Sequence, residues 1–322
     1  MRYTQLVFFL ATLLLVLGGC SSTKQAQVNW IEHPSSVYSA NIYLSAIGEG
    51  NSTEQASQRA LANLAKIFSV SISEKHLDES HFSSKKATTD VEVTRYISTT
   101  AKNQLNGAYI AEYHQDKQGR FFAIALLKKA TAAKQFVDNI RELDNKIVNK
   151  IDYAKHEAPN LFSAMSALQQ AYTHQQQRNN DNRNLQVVAN KGIISPTSSA
   201  SIEKFFKSEL AKLKFVTNSD DDFLVKQLNA SAANLGVQVV EHSPLVLSAS
   251  FILQPILQQE NWYWQRGSLA LAITEHGKTT RQLRFPLKVS AQQESMLSIR
   301  LDDLIVKNMD GYLMELLLSK SQ

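Results

Sequence analysis

Cys20 is the only cysteine in the chain, and only Gly18 and Gly19 separate it from an apolar run, Leu6 to Leu17, broken at Thr12. Arg2 places a positive charge ahead of that run. At about 1.5 Å per residue the run makes a helix of roughly 18 Å, well short of the ~30 Å hydrocarbon core of a bilayer. Such a segment reads as the core of a secretory signal and not as a membrane span. The lone cysteine also excludes an internal disulfide and any multi-cysteine zinc or iron–sulfur centre. The remainder must be held together by packing. Its 322 residues allow about two domains. A hydrophobic content of 43% with 20% charged residues excludes wholesale disorder and a multi-span membrane architecture. A net charge of +5 is mild for this length and gives no argument for nucleic acid as a partner.

Leu17-Gly18-Gly19-Cys20 resembles the lipobox of bacterial lipoproteins. Small residues before the cysteine let the chain enter a peptidase cleft, and the thiol is the nucleophile that takes a diacylglycerol. The resemblance implies cleavage before Cys20, a thioether-linked diacylglycerol and a third acyl chain on the new amine. Several acyl chains make the attachment effectively permanent. Ser21, where a retention signal would have Asp, implies sorting to the outer membrane, with the protein facing the periplasm. The tether from Ser21 to Asn29 spans at most about 30 Å, which holds the first folded segment close to the membrane surface.

The expected fold class is α+β: two small α+β domains joined by an antiparallel helical pair. Residues 1–19 form the signal peptide, 20–29 the lipidated tether, 30–127 the first domain, 128–178 the helical hairpin and 185–322 the second domain. In the first, Tyr43 to Ile47 reads as a strand ending in a turn at Gly48-Glu49-Gly50. Ser52 and Gln55 make a capping box for a helix whose Ala56, Ala60, Leu64, Ile67 and Phe68 share one face. Val70 and Ile72 read as a strand, as does Val91 to Tyr96, with a polar loop over Glu74 to Asp90. Asp116 to Gly119 turns a hairpin between Ala108–Tyr113 and Arg120–Leu127. Phe136, Ile140, Leu143, Ile147 and Ile151 step by three and four, as do Leu161, Met165, Leu168 and Tyr172 beyond Pro159. The polar run Arg178 to Asn184 marks a domain boundary. After it, Leu185 to Ala189 and Leu245 to Leu253 read as strands, and Ser201 to Leu213 as a helix. Gly267 to Ile273 and Leu283 to Val289 form a hairpin about His276-Gly277. The last helix runs from about Ala291, with Leu297, Leu301, Leu304, Asn308, Tyr312 and Leu316 on one side.

The stretch Tyr43 to Gly50, the helix bearing Ala56, Ala60, Leu64 and Ala65, its exit at Ile67 to Val70, and Phe121 to Leu126 together resemble a known family. It is the family of small bacterial outer-membrane lipoproteins named for a twenty-kilodalton antigen, which includes a flagellum-associated member. The resemblance covers Trp30 to Lys129. It implies a structural or scaffold role in an envelope assembly, with envelope proteins or self-assembly supplying the partner, and it carries no catalytic residues.

No motif supports catalysis, a metal or another cofactor. Gly48-x-Gly50 lacks the third glycine of a dinucleotide loop, since Thr53 occupies that position. His76 and His81 are five apart, on different faces of either a helix or a strand. Asp220 to Asp222 is explained by helix capping. Trp262, Trp264 and Arg266 are the candidate binding residues, since an extended chain puts all three on one face with Tyr263 on the other. Two readings stand side by side. An aromatic ladder with a cation can stack on sugar rings or anchor a protein partner. The same residues can be the rim of a sheet core, and this is the reading expected here. A module that contacts peptidoglycan and regulates a cell-wall synthase is the alternative to the scaffold.

Overall fold

The computed structural model describes residues 29–73 and 106–320, with side chains omitted at 69–73. Cys20 with the residues read as a lipobox, the segment expected as a polar loop, the expected strand Val91–Tyr96 and the His76–His81 pair lie outside the described residues. The chain is mixed α+β and divides by its contacts into two units. One contains residues 29–64 and 108–128, the other 65–73, 106–107 and 129–320.

The first unit starts with two single-turn helices, α1 (Asn29–Glu32) and α2 (Pro34–Val37), followed by β1 (Tyr43–Gly50) and α3 (Thr53–Ser73). β2 (Tyr109–Gln115) and β3 (Phe121–Lys128) complete an antiparallel sheet in the order β1-β3-β2. β3 is central, and its residues Ala123 to Leu127 are all fully buried. Ile124 and Leu126 pack with Trp30 on one side. On the other side Gly48 lies opposite Ala123 in the register. A Cβ on Gly48 would stand 2.2 Å from both the Ala56 carbonyl oxygen and the Ala60 nitrogen. The glycine pair expected to turn the chain is therefore inside the strand, where missing side chains let a helix backbone lie on the sheet. The capping box forms in part: the Gln55 N–H donates to Ser52 Oγ at 3.2 Å, while the Gln55 side chain accepts from Asn51 N, one residue ahead of the cap, at 2.8 Å. Arg59 and Asn63, one turn apart on α3, donate to the carbonyls of Glu49 and Ile47 on β1, an edge strand. α3 continues to Ser73, so Val70 and Ile72 are helical and not a strand.

The second unit opens with α4 (Lys129–Asp152), a π-turn (Tyr153–Glu157) and α5 (Leu161–Ala189), an antiparallel pair reversing at Pro159. α5 runs straight through the polar segment expected to end a domain. Arg178 and Asn184 are buried in it, and Leu185 to Ala189 is its last turn and not a strand. The apolar stripe of α5 continues with polar side chains in its place: Gln175 and Arg178 follow Leu168 and Ala171 at helical spacing, and Leu185 and Val188 resume it. Arg178 pairs with Asp144 of α4 at 3.0 Å and donates to the Ile193 carbonyl at 2.9 Å.

Next come α6 (Ser199–Leu210), β4 (Lys214–Asn218), α7 (Asp222–Leu235) and β5 (Gln238–Val239). Asp221 caps α7 by accepting from the N–H groups of Phe223 and Leu224. β6 (Leu245–Leu253), β7 (Leu257–Gln259), β8 (Trp262–Glu275) and β9 (Lys278–Ala291) follow, and α8 (Met296–Leu318) ends the unit. The last helix begins five residues after the expected Ala291, which closes β9. The sheet order is β5-β4-β6-β8-β7, with β9 on the far side of β8. His276 (φ 49°) and Gly277 (φ 80°) take the two left-handed positions of the tight β8–β9 turn. One continuous core fills the space between sheet and helices. Leu247, Leu269, Leu271, Ile273 and Phe285 meet Met165 and Leu168 of α5, Phe206 of α6, Leu228 of α7 and Ile305 and Met309 of α8.

A candidate binding tongue at the end of the larger sheet

Residues pointing to one face of β8 fill the core: Leu269, Leu271 and Ile273 are fully buried, and their partners Phe285 and Leu283 on β9 join them. Alternation then assigns Trp262, Trp264 and Arg266 to the opposite face. Trp262 is 37% exposed, Trp264 is half-buried and Arg266 is exposed, while Gln265 between them is buried. The expected core-rim placement is therefore wrong. The three residues share a strand face as anticipated, but it is the face turned away from the helices.

The surroundings come from the register. Leu257 on β7 lies opposite Trp264, and Lys288 on β9 lies opposite Arg266. The Lys288 ammonium sits 5.0 Å from the centre of the Trp264 ring, a cation–π contact. Arg266 and Lys288, like charges directly opposite, repel, and that favours an acidic or otherwise anionic neighbour. Two backbone devices hold this end of the sheet. A Cβ on Gly267 would come within 2.3 Å of the Ile252 carbonyl, so only glycine lets the end of β6 approach β8 this closely. The Gln265 side chain donates to the Gln254 carbonyl, and the Gln254 N–H donates to the Arg266 carbonyl at 2.9 Å.

The same end of the sheet exposes Ile252, Leu253, Ile256 and Leu257, each more than 40% accessible. Ile252, opposite Ser268, and Leu257, opposite Trp264, share the face of Trp262, while Leu253, opposite Gly267, lies on the other face, so these strand ends make a two-sided apolar tongue. Isolated exposed apolar side chains are ordinary, but five large ones on adjoining strand ends are the usual mark of an interaction surface. Sequence reasoning found the tryptophans and missed the other four. Phe251-Ile252-Leu253 has the composition of a core strand, and only cross-strand pairing brings Leu257 beside Trp264.

Among the described residues, no three His, Cys, Asp or Glu side chains come together in a way that could hold a metal ion. Also among them, no helix is long and apolar enough to cross a membrane.

Residues 29–128 match the LPP20 lipoprotein family. The match ends where α4 begins, so the helical pair and the larger sheet lie outside it. No curated protein matches the chain. Among solved structures, a secreted protein of Helicobacter pylori aligns at 16% identity over 83% of this chain and 97% of its own, with a TM-score of 0.44. A minor lipoprotein of Acinetobacter baumannii aligns at 16% identity over 35% of this chain and 97% of its own, with a TM-score of 0.29. Likenesses this loose carry no argument about mechanism.

Proposed function

We propose that this chain is a non-enzymatic, lipid-anchored scaffold of an outer-membrane assembly. Acyl chains on Cys20 hold it to the membrane facing the periplasm, and the tongue of the larger sheet docks an envelope protein. The lipobox lies nine residues ahead of a segment matching a lipoprotein family, which supports the anchor. The exposed apolar cluster Ile252, Leu253, Ile256, Leu257 and Trp262 carries the docking role. Members of such assemblies are held by apolar anchors in a desolvated centre, with charged side chains at the rim. Arg266 and Lys288 stand at that rim.

A photo-crosslinking side chain placed at Leu257 in intact cells should give one discrete adduct of higher mass. The adduct should disappear in a Trp262→Glu background, while crosslinkers on the polar face of α4 give none. Absence of any adduct at Leu257, Ile256 and Ile252 alike would sink the docking role. The anchor is tested separately. Cys20→Ser should leave an unprocessed precursor that no longer fractionates with the outer membrane.

A second reading is favoured by exposed Trp262 and half-buried Trp264 sharing a strand face with Arg266: a peptidoglycan- or glycan-contacting module that regulates a cell-wall synthase. It requires the protein to sediment with purified peptidoglycan, and to lose that ability when Trp262 and Trp264 are both changed to Ala without loss of folding.

A further inference from the structure

A cleft of about 800 Å³ opens within the second unit, where the end of α4, the first turns of α5, the β8–β9 hairpin and the end of α8 converge. Arg281 lines it and is 7% exposed. Its Nε donates to the Ser319 carbonyl at 3.1 Å, and its guanidinium lies 4.0 Å from the centre of the Phe162 ring. Those contacts fix the plane of the fork. They also explain part of the burial, because the carbonyl end of α8 carries the negative end of a helix dipole. Among the described residues the two terminal nitrogens, with four of the five N–H donors of an arginine, have no protein acceptor, and they open to solvent in the cleft. Glu275 acts on the guanidinium electrostatically but makes no ion pair with it. Burial pulls the group below its ordinary value against that attraction. Cleft water can satisfy those donors, and an anion can take its place with stronger, charge-assisted bonds.

The same cleft receives the positive end of α5, a helix of 29 residues. Asn160 caps it by accepting from Ser163 N at 2.9 Å, and Ala164 N bonds to the Asn160 carbonyl. Among the described residues, the N–H groups of Leu161 and Phe162, two residues that line the cleft, have no acceptor. Lys150 and Lys320 add two ammonium groups at the wall, against the one carboxylate of Glu275. Leu213, Leu245 and Leu318 supply an apolar wall.

We propose that this cleft is a binding site for a small ligand bearing an oxyanion, a carboxylate or a phosphate, held between the open fork of Arg281 and the first-turn amides of α5. Both anion types suit this donor set. A guanidinium fork matches two oxygens in one plane, and a helix N-terminus accepts negative charge from either. The volume lies in the range of small-molecule sites. The site is independent of the tongue and stands whether or not the scaffold reading does.

The test is thermal unfolding of the full-length chain in detergent, with sodium acetate or sodium phosphate compared with sodium chloride at matched ionic strength. One or both anions should raise Tm by about 2–4 °C beyond chloride, the size expected when the ligand exceeds its Kd severalfold. The anion with the larger shift identifies the headgroup. Arg281→Gln should abolish the shift, Arg281→Lys should keep no more than half of it, and Lys150→Gln should reduce it. If the Arg281 variants do not fold, a Lys150→Gln, Lys320→Gln double variant decides, since neither side chain supports the core; there the shift should fall by half or more. No shift with either anion overturns the site. So does an undiminished shift in the variants, which would mark a general salt effect.

Discussion

At the residue scale the most exacting positions are those where a side chain is absent or a charge is strained by burial. Gly48 belongs to the first kind. The atoms a Cβ would strike, Ala56 O and Ala60 N, belong to a helix backbone that cannot rotate away. Gly48→Ala should cost the first unit about 3 kcal/mol or more, the upper range for overpacking, read as a lowered urea midpoint for the transition that reports Trp30. Asp181 belongs to the second kind. Burial on α5 pushes its carboxyl from 3.8 up to about 6, against a side-chain hydrogen bond with Asn139 that favours the charged form. Folding therefore disfavours its ionised state. The stability it contributes is complete below pH ~4, declines as pH rises toward 6 and is absent above. Discounted for partial exposure, the loss is about 1–2 kcal/mol. Asp181→Asn should remove that decline, so that urea titrations of wild type and variant diverge between pH 4 and pH 6.5 and run parallel above.

At the scale of elements, the strands and helices that buried an apolar stripe were legible from their spacing, and those that buried polar side chains were not. β6 was read to the residue, because Leu245 to Leu253 is continuously apolar apart from two serines. The end of α5 was missed because Asn180, Asn182 and Asn184 have the composition of a loop. They lie instead where Arg178, Asp144 and the carbonyl of Ile193 make a polar seam between helices. Half the candidate site could be read for a related reason. Alternation gives the shared face of Trp262, Trp264 and Arg266, but which face meets the helices depends on partners distant in sequence. The exposures rank the tryptophans. Trp264, half-buried under Lys288, should cost about 1–2 kcal/mol on change to Ala, and Trp262 less than about 1 kcal/mol, both read from thermal melts. A Trp262→Ala loss as large as that of Trp264→Ala would mean the tongue is packed and not presented.

At the scale of the whole molecule, the helical pair belongs with the larger sheet and is not a spacer. Phe162, Met165 and Leu168 of α5 are part of the core that the sheet closes. A chain spanning 129–322 should therefore unfold in a single cooperative transition. A chain spanning 185–322 lacks those three side chains and should show no cooperative melt by circular dichroism. A cooperative melt from the shorter chain would restore the boundary at the asparagine-rich run. The architecture also sets an order of events. α8 is the last helix, yet it supplies Leu301, Ile305, Met309, Leu313, Leu316 and Leu317 to the centre of the core, and its Tyr312 stacks on Phe285 at 4.1 Å. Its final turn also receives Arg281 through Ser319. A chain made amino-terminus first thus delivers a keystone of its larger core only after the whole sheet it packs on. Until α8 is complete, α5, α6, α7 and the sheet lack the helix that fills the centre of their shared core, so the growing chain exposes apolar surface, and a break in the final two turns of α8 would leave it at that unfinished stage.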